Sequence, residues 1–459
     1  MKKKLLSALL SVAMVSALLV GCGDKTATTD SAAATDAAAT DAAATDAADA
    51  EASTDPFYIY SWNTELGDRL KYVYEQHPEW EARVKYVNIG DSAVYQEKID
   101  ALLATPDAED YPDLMATEAG YIMKYTNSDY TLPVTDLGLT DADLAEMYPY
   151  TITIATDQRN DQLKGVSWQA CPGSYMYRRS LAEKYLGTSD PAEVQEYVKD
   201  WDTFLETART INEKSGGSTK ILSSNDDVQN AFYSNKSAPW VDADKKFVYD
   251  DSLDKMLDVE KTLESENLTC KTTTWSEEWN AGPSTDEVFS YFGCTWFLHW
   301  TIKANCGGTA TGEGTYGDWA MCQGPQPYYW GGTWLCAMQG CSDKEFAGEI
   351  MKALCCDTDT MTKMSEETLD YVNNKTAMKT LSDAGKGAYD FLGGQDFISV
   401  FSPLAETVDV SFMSPYDQKI NELFTAQEQE YAKGAKDKET AIADFKTSVA
   451  DAYPDITVE

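Results

Sequence analysis

The alternation of strand and helix between Phe57 and Tyr125 limits this chain more than any other stretch. Phe57-Tyr58-Ile59-Tyr60 reads as a short strand, and Leu66, Leu70, Val73 and Tyr74 fall at helical spacing over residues 66–77, ahead of Pro78. Val84-Lys85-Tyr86-Val87 reads as a second strand, residues 93–103 as a helix, and Pro112-Asp113-Leu114-Met115-Ala116 as a third strand before a short helix at 121–125. Strands separated by single helices at this spacing pair in parallel through crossover connections. The pattern therefore predicts an α/β fold whose ligand lies beyond the carboxyl ends of the strands. The loops at 61–67, 89–92 and 117–120 are the places for a site.

Upstream of this pattern nothing can build a core. Residues 1–22 read MKKKLLSALLSVAMVSALLVGC: a basic start, a sixteen-residue apolar run and a small residue before Cys22. The run is shorter than the roughly 20 residues that span a bilayer, so residues 1–21 read as a cleaved signal peptide. Leu19-Val20-Gly21-Cys22 resembles the lipobox of bacterial lipoproteins. That resemblance implies a diacylglycerol on Cys22 and a chain tethered to the extracellular face of the cell membrane. Residues 22–55 are almost wholly Ala, Thr, Asp and Ser in a short repeat, and read as a disordered acidic linker because they offer no apolar surface to bury.

About four hundred residues remain, enough for two domains with sizeable cores. The formal charge of the chain is −39, and loss of Lys2, Lys3 and Lys4 with the signal takes it to about −42. Nucleic acid and anionic lipid would repel such a body, which excludes both as its partners. Nine cysteines follow Cys22, and an odd number excludes a fully paired set. No C-x-x-C pair or histidine partner suggests zinc, and the reading favours buried, reduced thiols, with Cys294–Cys306 and Cys336–Cys341 the pairs to examine.

Longer stretches carry a family resemblance. The segments YIYSWNTELGDRLKYVYEQHPEW, VKYVNIGDSAVYQEKIDALLATPDAEDYPDLM and TLPVTDLG are similar to the N-terminal lobe of an extracellular solute-binding protein of family 1, the carbohydrate-binding group that serves ABC importers. GVSWQACPGSYMYRRSLAEKYLG, DWDTFLETARTINEK, GCTWFLHW, GPQPYYWGGTWLCAMQGCSDKEFAGEIMKAL and AKDKETAIADFKTSVADAYPDI follow in family order. The resemblance implies a periplasmic-binding-protein-like fold, two α/β lobes around a hinge with a ligand cleft. It places residues 56–168 and 324–364 in the N-terminal lobe and residues 169–323 and 365–459 in the C-terminal lobe. It further implies a monomer that binds a carbohydrate, delivers it to the permease subunits of an ABC transporter, needs no cofactor and is not an enzyme.

The chemistry of sugar recognition selects the candidate residues. A sugar presents flat C–H faces and a rim of hydroxyls, so its receptor needs aromatic platforms and planar hydrogen-bonding groups. Trp62, Asn63 and Glu65 follow the first strand, and Glu118 follows the third. The family's contact positions in the third loop fall on Thr117, Glu118 and Tyr121. By the same resemblance Trp296 in GCTWF stacks on sugar, while Trp330 and Gly331 lie in the glycine-rich return segment that lines the cleft. Tyr177 and Trp240 complete the opposing face. Trp300 reads as core, Trp279 as a platform or as surface packing, and Asp396 in Gly393-Gly394-Gln395-Asp396 as a ligand contact or a helix cap. With 12 Trp and 27 Tyr to serve as platforms, several subsites and hence an oligosaccharide are favoured.

Two other readings stay open: a solute-binding protein for a peptide or polyamine, which the acidic charge allows, and a secreted glycoside hydrolase using paired acids such as Glu277-Glu278 or Asp286-Glu287. No GxSxG, HExxH or Walker sequence occurs. Asp242-Ala243-Asp244 opens like a calcium loop, but Phe247 stands where the loop needs glycine.

Overall fold

The computed structural model describes residues 54–459, which form one compact unit. The signal peptide, Cys22 and nearly all of the linker lie outside the described residues. Strand β1 (Phe57–Ser61) pairs in parallel with β2 (Val84–Asn88) on one side and β3 (Leu114–Glu118) on the other. The crossover from β1 to β2 runs through helices α1 (Glu65–Tyr74) and α2 (Pro78–Arg83), and that from β2 to β3 through α3 (Ser92–Leu103). Pro78 thus does more than stop α1: it occupies the first turn of α2, where its missing N–H costs nothing. Leu66, Leu70 and Val73 turn one stripe of α1 into the core, the i, i+4, i+7 pattern of an amphipathic helix.

The sheet is completed by chain that returns from far downstream. Strand Thr333–Ala337 lies antiparallel between β3 and Val166–Ser167, giving five strands with β2 and Val166–Ser167 at the edges. A second, antiparallel sheet holds Gly173–Arg178 between Ser290–Cys294 and Trp319–Cys322. The chain therefore leaves the first sheet after Ser167, builds the second, and re-enters the first at Thr333.

Each sheet has its own helices. Lys344–Cys355 and Thr358–Thr368 pack against α1, so the limit drawn at residue 364 falls inside a helix, with Met364 and Ser365 both buried. Beside the second sheet, Trp201, Phe204, Trp240, Leu257, Phe424 and Phe445 form a separate core, into which helices Asp254–Ser265 and Asp417–Ala432 pack side by side. All nine described cysteines are free thiols, six of them buried. No helix among the described residues is long and apolar enough to cross a membrane.

Candidate functional site

A cavity of about 710 Å³ opens at the carboxyl ends of the parallel strands. Trp62, Asn63 and Glu65 reach it from the loop after β1, Ser92 from the loop after β2, and Glu118 from the end of β3. All three loops expected from the strand order converge here, as a crevice at the ends of parallel strands requires. Gly331, Gly332 and Thr333 form its floor where the chain re-enters the first sheet, and Trp275, Trp296 and Trp300 face it from the second half of the chain.

The indole rings form a partly ordered wall. Trp62 is braced edge-on by Tyr121 at 6.0 Å and tilted against Tyr95 at 5.8 Å. Trp296 donates its indole N–H to the Trp330 carbonyl at 3.1 Å and lies parallel to Trp275 at 6.2 Å. Trp275 is 50% exposed and holds a left-handed backbone with φ of 70°, a conformation disfavoured for a bulky side chain. Trp300 is 63% exposed. Gly331 has φ of 68°, and a Cβ there would sit 3.1 Å from Trp296 Nε1 and 3.2 Å from Glu118 Oε1, so only glycine lets the backbone pass between these two groups.

Acidic groups supply the polar side. Burial pushes the Glu118 carboxyl up to about 7, against backbone N–H donors that favour its charge; the Gly120 N–H donates to it at 2.7 Å. Burial and the nearby Asp370 carboxylate push Glu65 up to about 7, against the Arg69 guanidinium. Arg69 Nε donates to Asp370 at 2.5 Å, while its Nη2 lies 3.7 Å from Glu65 Oε1. Neither Nη2 nor Oε1 has a hydrogen-bond partner among the described residues. The two face each other as a buried ion pair too long for a hydrogen bond, leaving a donor and an acceptor both unsatisfied.

A second cavity of about 200 Å³ adjoins the first, sharing Glu118 and Gly331. Trp330, Tyr329, Asn230, Tyr233 and Asn421 line it, the last from the helix Asp417–Ala432.

Several residues expected at the site lie elsewhere. Thr117 is fully buried in β3, its hydroxyl donating to the Trp334 carbonyl at 3.3 Å. Tyr121 is buried behind Trp62 rather than in the cavity wall. Tyr177 is fully buried in the second sheet, its hydroxyl donating to Ser189 O at 2.9 Å. Trp240 is buried among Phe247, Phe424 and Phe445, its indole N–H on Asn421 at 2.7 Å. Asp396 caps the helix Phe397–Ala405, accepting from the Ile398 and Ser399 amides. Trp279 is core, donating to Asp227. Trp300, expected in the core, faces the cavity instead. Its spacing held the signal, since a residue four places beyond Trp296 shares its helical face. Asp242 accepts from the Asp244 and Lys246 amides, which makes its loop an ordinary turn.

No family model matches the sequence, and no curated protein matches it. Solved structures do match. A crystal structure of an extracellular solute-binding protein of family 1 aligns with a TM-score of 0.74 at 18% identity, covering 87% of this chain and 99% of that one. The fold is that of a solute-binding protein. MalE, the sugar-binding protein of Xanthomonas citri, aligns at 0.69 with 15% identity over 86% of this chain and 96% of its own. An ABC-transporter-associated binding protein of Bifidobacterium animalis subsp. lactis, solved with β-1,6-galactobiose, aligns at 0.66 with 17% identity over 87% and 97%.

Proposed function

We propose that this chain is a solute-binding protein that captures a carbohydrate, an oligosaccharide in preference to a single sugar, and hands it to the permease of an ABC importer. The observation that carries the reading is the main cavity itself. Four indole rings surround a space of about 710 Å³ into which the polar side chains of Asn63, Glu65, Arg69 and Glu118 turn. That volume lies within the roughly 300–1,000 Å³ typical of small-molecule sites. The rings suit the C–H faces of a sugar, and Glu65, Asn63, Arg69 and Glu118 suit its hydroxyls. Two solved structures of the same fold hold sugars, β-1,6-galactobiose in one and lacto-N-biose in the Bifidobacterium longum protein, which supports the assignment.

Function is binding without covalent chemistry in this proposal. Two lobes would close over the sugar, Trp62, Glu65 and Glu118 on one side and Trp275, Trp296 and Trp300 on the other, and the closed form would dock on the permease. Cys22 would carry the lipid that holds the monomer at the extracellular face of the membrane. Detergent-phase partition of the native chain, lost in Cys22→Ser, tests that anchor.

The test of the main reading is thermal unfolding of the full chain with mono- and oligosaccharides, peptides and polyamines. A ligand at about a hundred times its dissociation constant raises the midpoint by about 3 °C for a body of this size. Shifts confined to one sugar class support the proposal. The second reading, a polyamine or other cationic ligand, is favoured by indole faces beside the carboxylates of Glu65, Asp68 and Glu118. Shifts with amines and none with sugars would replace the first reading by it.

A further inference from the structure

Outside the tryptophan-lined cavity, three carboxylates crowd together beside the second core. Asp226, Glu260 and Glu428 each place an oxygen within 4.8 Å of the others. They come from three separate segments: the short turn Asn225–Val228, the helix Asp254–Ser265 and the helix Asp417–Ala432. Such crowding of like charge is costly in a buried place unless something offsets it.

The hydrogen-bond accounting shows what is missing. Glu260 is fully buried, and no donor among the described residues reaches either of its carboxylate oxygens, or Glu428 Oε1, in hydrogen-bond geometry; the Glu428 carboxyl and the Gln229 amide lie beside it. Glutamines engage other edges of the cluster. Gln429 Nε2 donates to Asp226 at 2.9 Å, and Gln229 Nε2 donates to Glu428 Oε2 at 3.4 Å. Neither lysine nearby forms an ion pair with the cluster, although the Lys433 charge favours the ionised forms of Asp226 and Glu428. Lys271 pairs with Glu264 at 2.7 Å, and Lys433 lines the space without an ion pair to any of the three acids. A cavity of about 330 Å³ opens over the group, with Glu260 and Glu428 in its wall.

We propose that Asp226, Glu260 and Glu428 bind a divalent metal ion of the calcium class, which ties the turn and the two helices together. Hard carboxylate oxygens suit calcium, whose ligands stand at about 2.3–2.6 Å and therefore span about 4.6–5.2 Å across the ion. Water entering through the cavity completes the shell. The cation replaces the partners that Glu260 lacks and leaves a residual negative charge for Lys433 to face.

The experiment is thermal unfolding and titration calorimetry of the full chain, stripped with chelator and then given calcium chloride or magnesium chloride alone, at pH 8. The expected result is one calcium site and a rise in midpoint of about 3 °C at a hundredfold excess over the dissociation constant. Glu260→Gln removes the calcium response; Glu428→Gln does the same and serves if the first variant fails to fold. A wild type that binds no calcium at pH 8 overturns the proposal in favour of a shared proton. So does a Glu260→Gln protein that keeps the full calcium shift.

Discussion

Trp300→Ala separates a binding platform from a core residue more cleanly than any other change in this protein. The side chain is 63% exposed and lines the main cavity. Truncation at so open a position alters stability by no more than about 0.5 kcal/mol, which moves the midpoint by less than about 1 °C. The cost to binding is larger. A sugar face that covers roughly 60 Å² of the ring, at about 25 cal/mol per Å², contributes about 1.5 kcal/mol. Loss of that contact weakens the dissociation constant about tenfold. Titration calorimetry with the sugar that gives the largest thermal shift, run beside thermal unfolding of the free variant, reads both quantities. An affinity within twofold of wild type would remove Trp300 from the site. A loss of more than about 2 kcal/mol in stability would return it to the core, where the apolar run Phe297-Leu298-His299-Trp300 first suggests it belongs.

Other changes probe other parts of the argument. Trp240→Ala empties a fully buried position and strips Asn421 of its indole partner, so denaturant unfolding should show a loss of about 3–5 kcal/mol; a loss under about 1 kcal/mol would contradict its place in the core. Trp275→Gly should be more stable than Trp275→Ala by about 1 kcal/mol, because only glycine adopts a φ of 70° without strain, and equal stabilities would show that the loop relaxes. Glu118 should make the free protein lose stability as pH rises from about 4.5 to 7, since the folded state keeps a proton that the unfolded chain has released. Glu118→Gln should flatten that part of the profile, leaving the share due to Glu65; superimposable wild-type and variant curves would refute the assignment.

What the sequence disclosed depends on whether local pattern or distant packing decides a position. The parallel strands and the loops at their ends were legible because hydrophobic periodicity alone sets them, and Trp62, Asn63, Glu65 and Glu118 follow directly. Trp296 and Gly331 were reached through resemblance, and the cavity holds both. Tyr177 and Trp240 misled because a strand residue and a loop-like Pro-Trp carry no mark of which face they turn inward. Asp396 stood four-square between two roles, and the amides of Ile398 and Ser399 decide for the cap. Arg69 and Asp370 meet across 301 residues, a separation no local rule bridges.

The two walls of the cavity also differ in how firmly they are held. Glu118 ends β3, where ladder hydrogen bonds fix the backbone, Glu65 opens helix α1, and Thr333, opposite Glu118, extends the same sheet. Trp275 sits in a loop with a strained backbone, and Trp300 lies in the wide helical turn Leu298–Lys303, away from any sheet. Hydrogen-bond geometry is directional and needs the rigid wall, whereas stacking tolerates shifts of ring position and suits the looser one. In the proposed sugar complex the carboxylates would therefore set which hydroxyls are accepted. The indoles on the far wall would supply area, and residues on loops would be the ones free to adjust to ligands of different length.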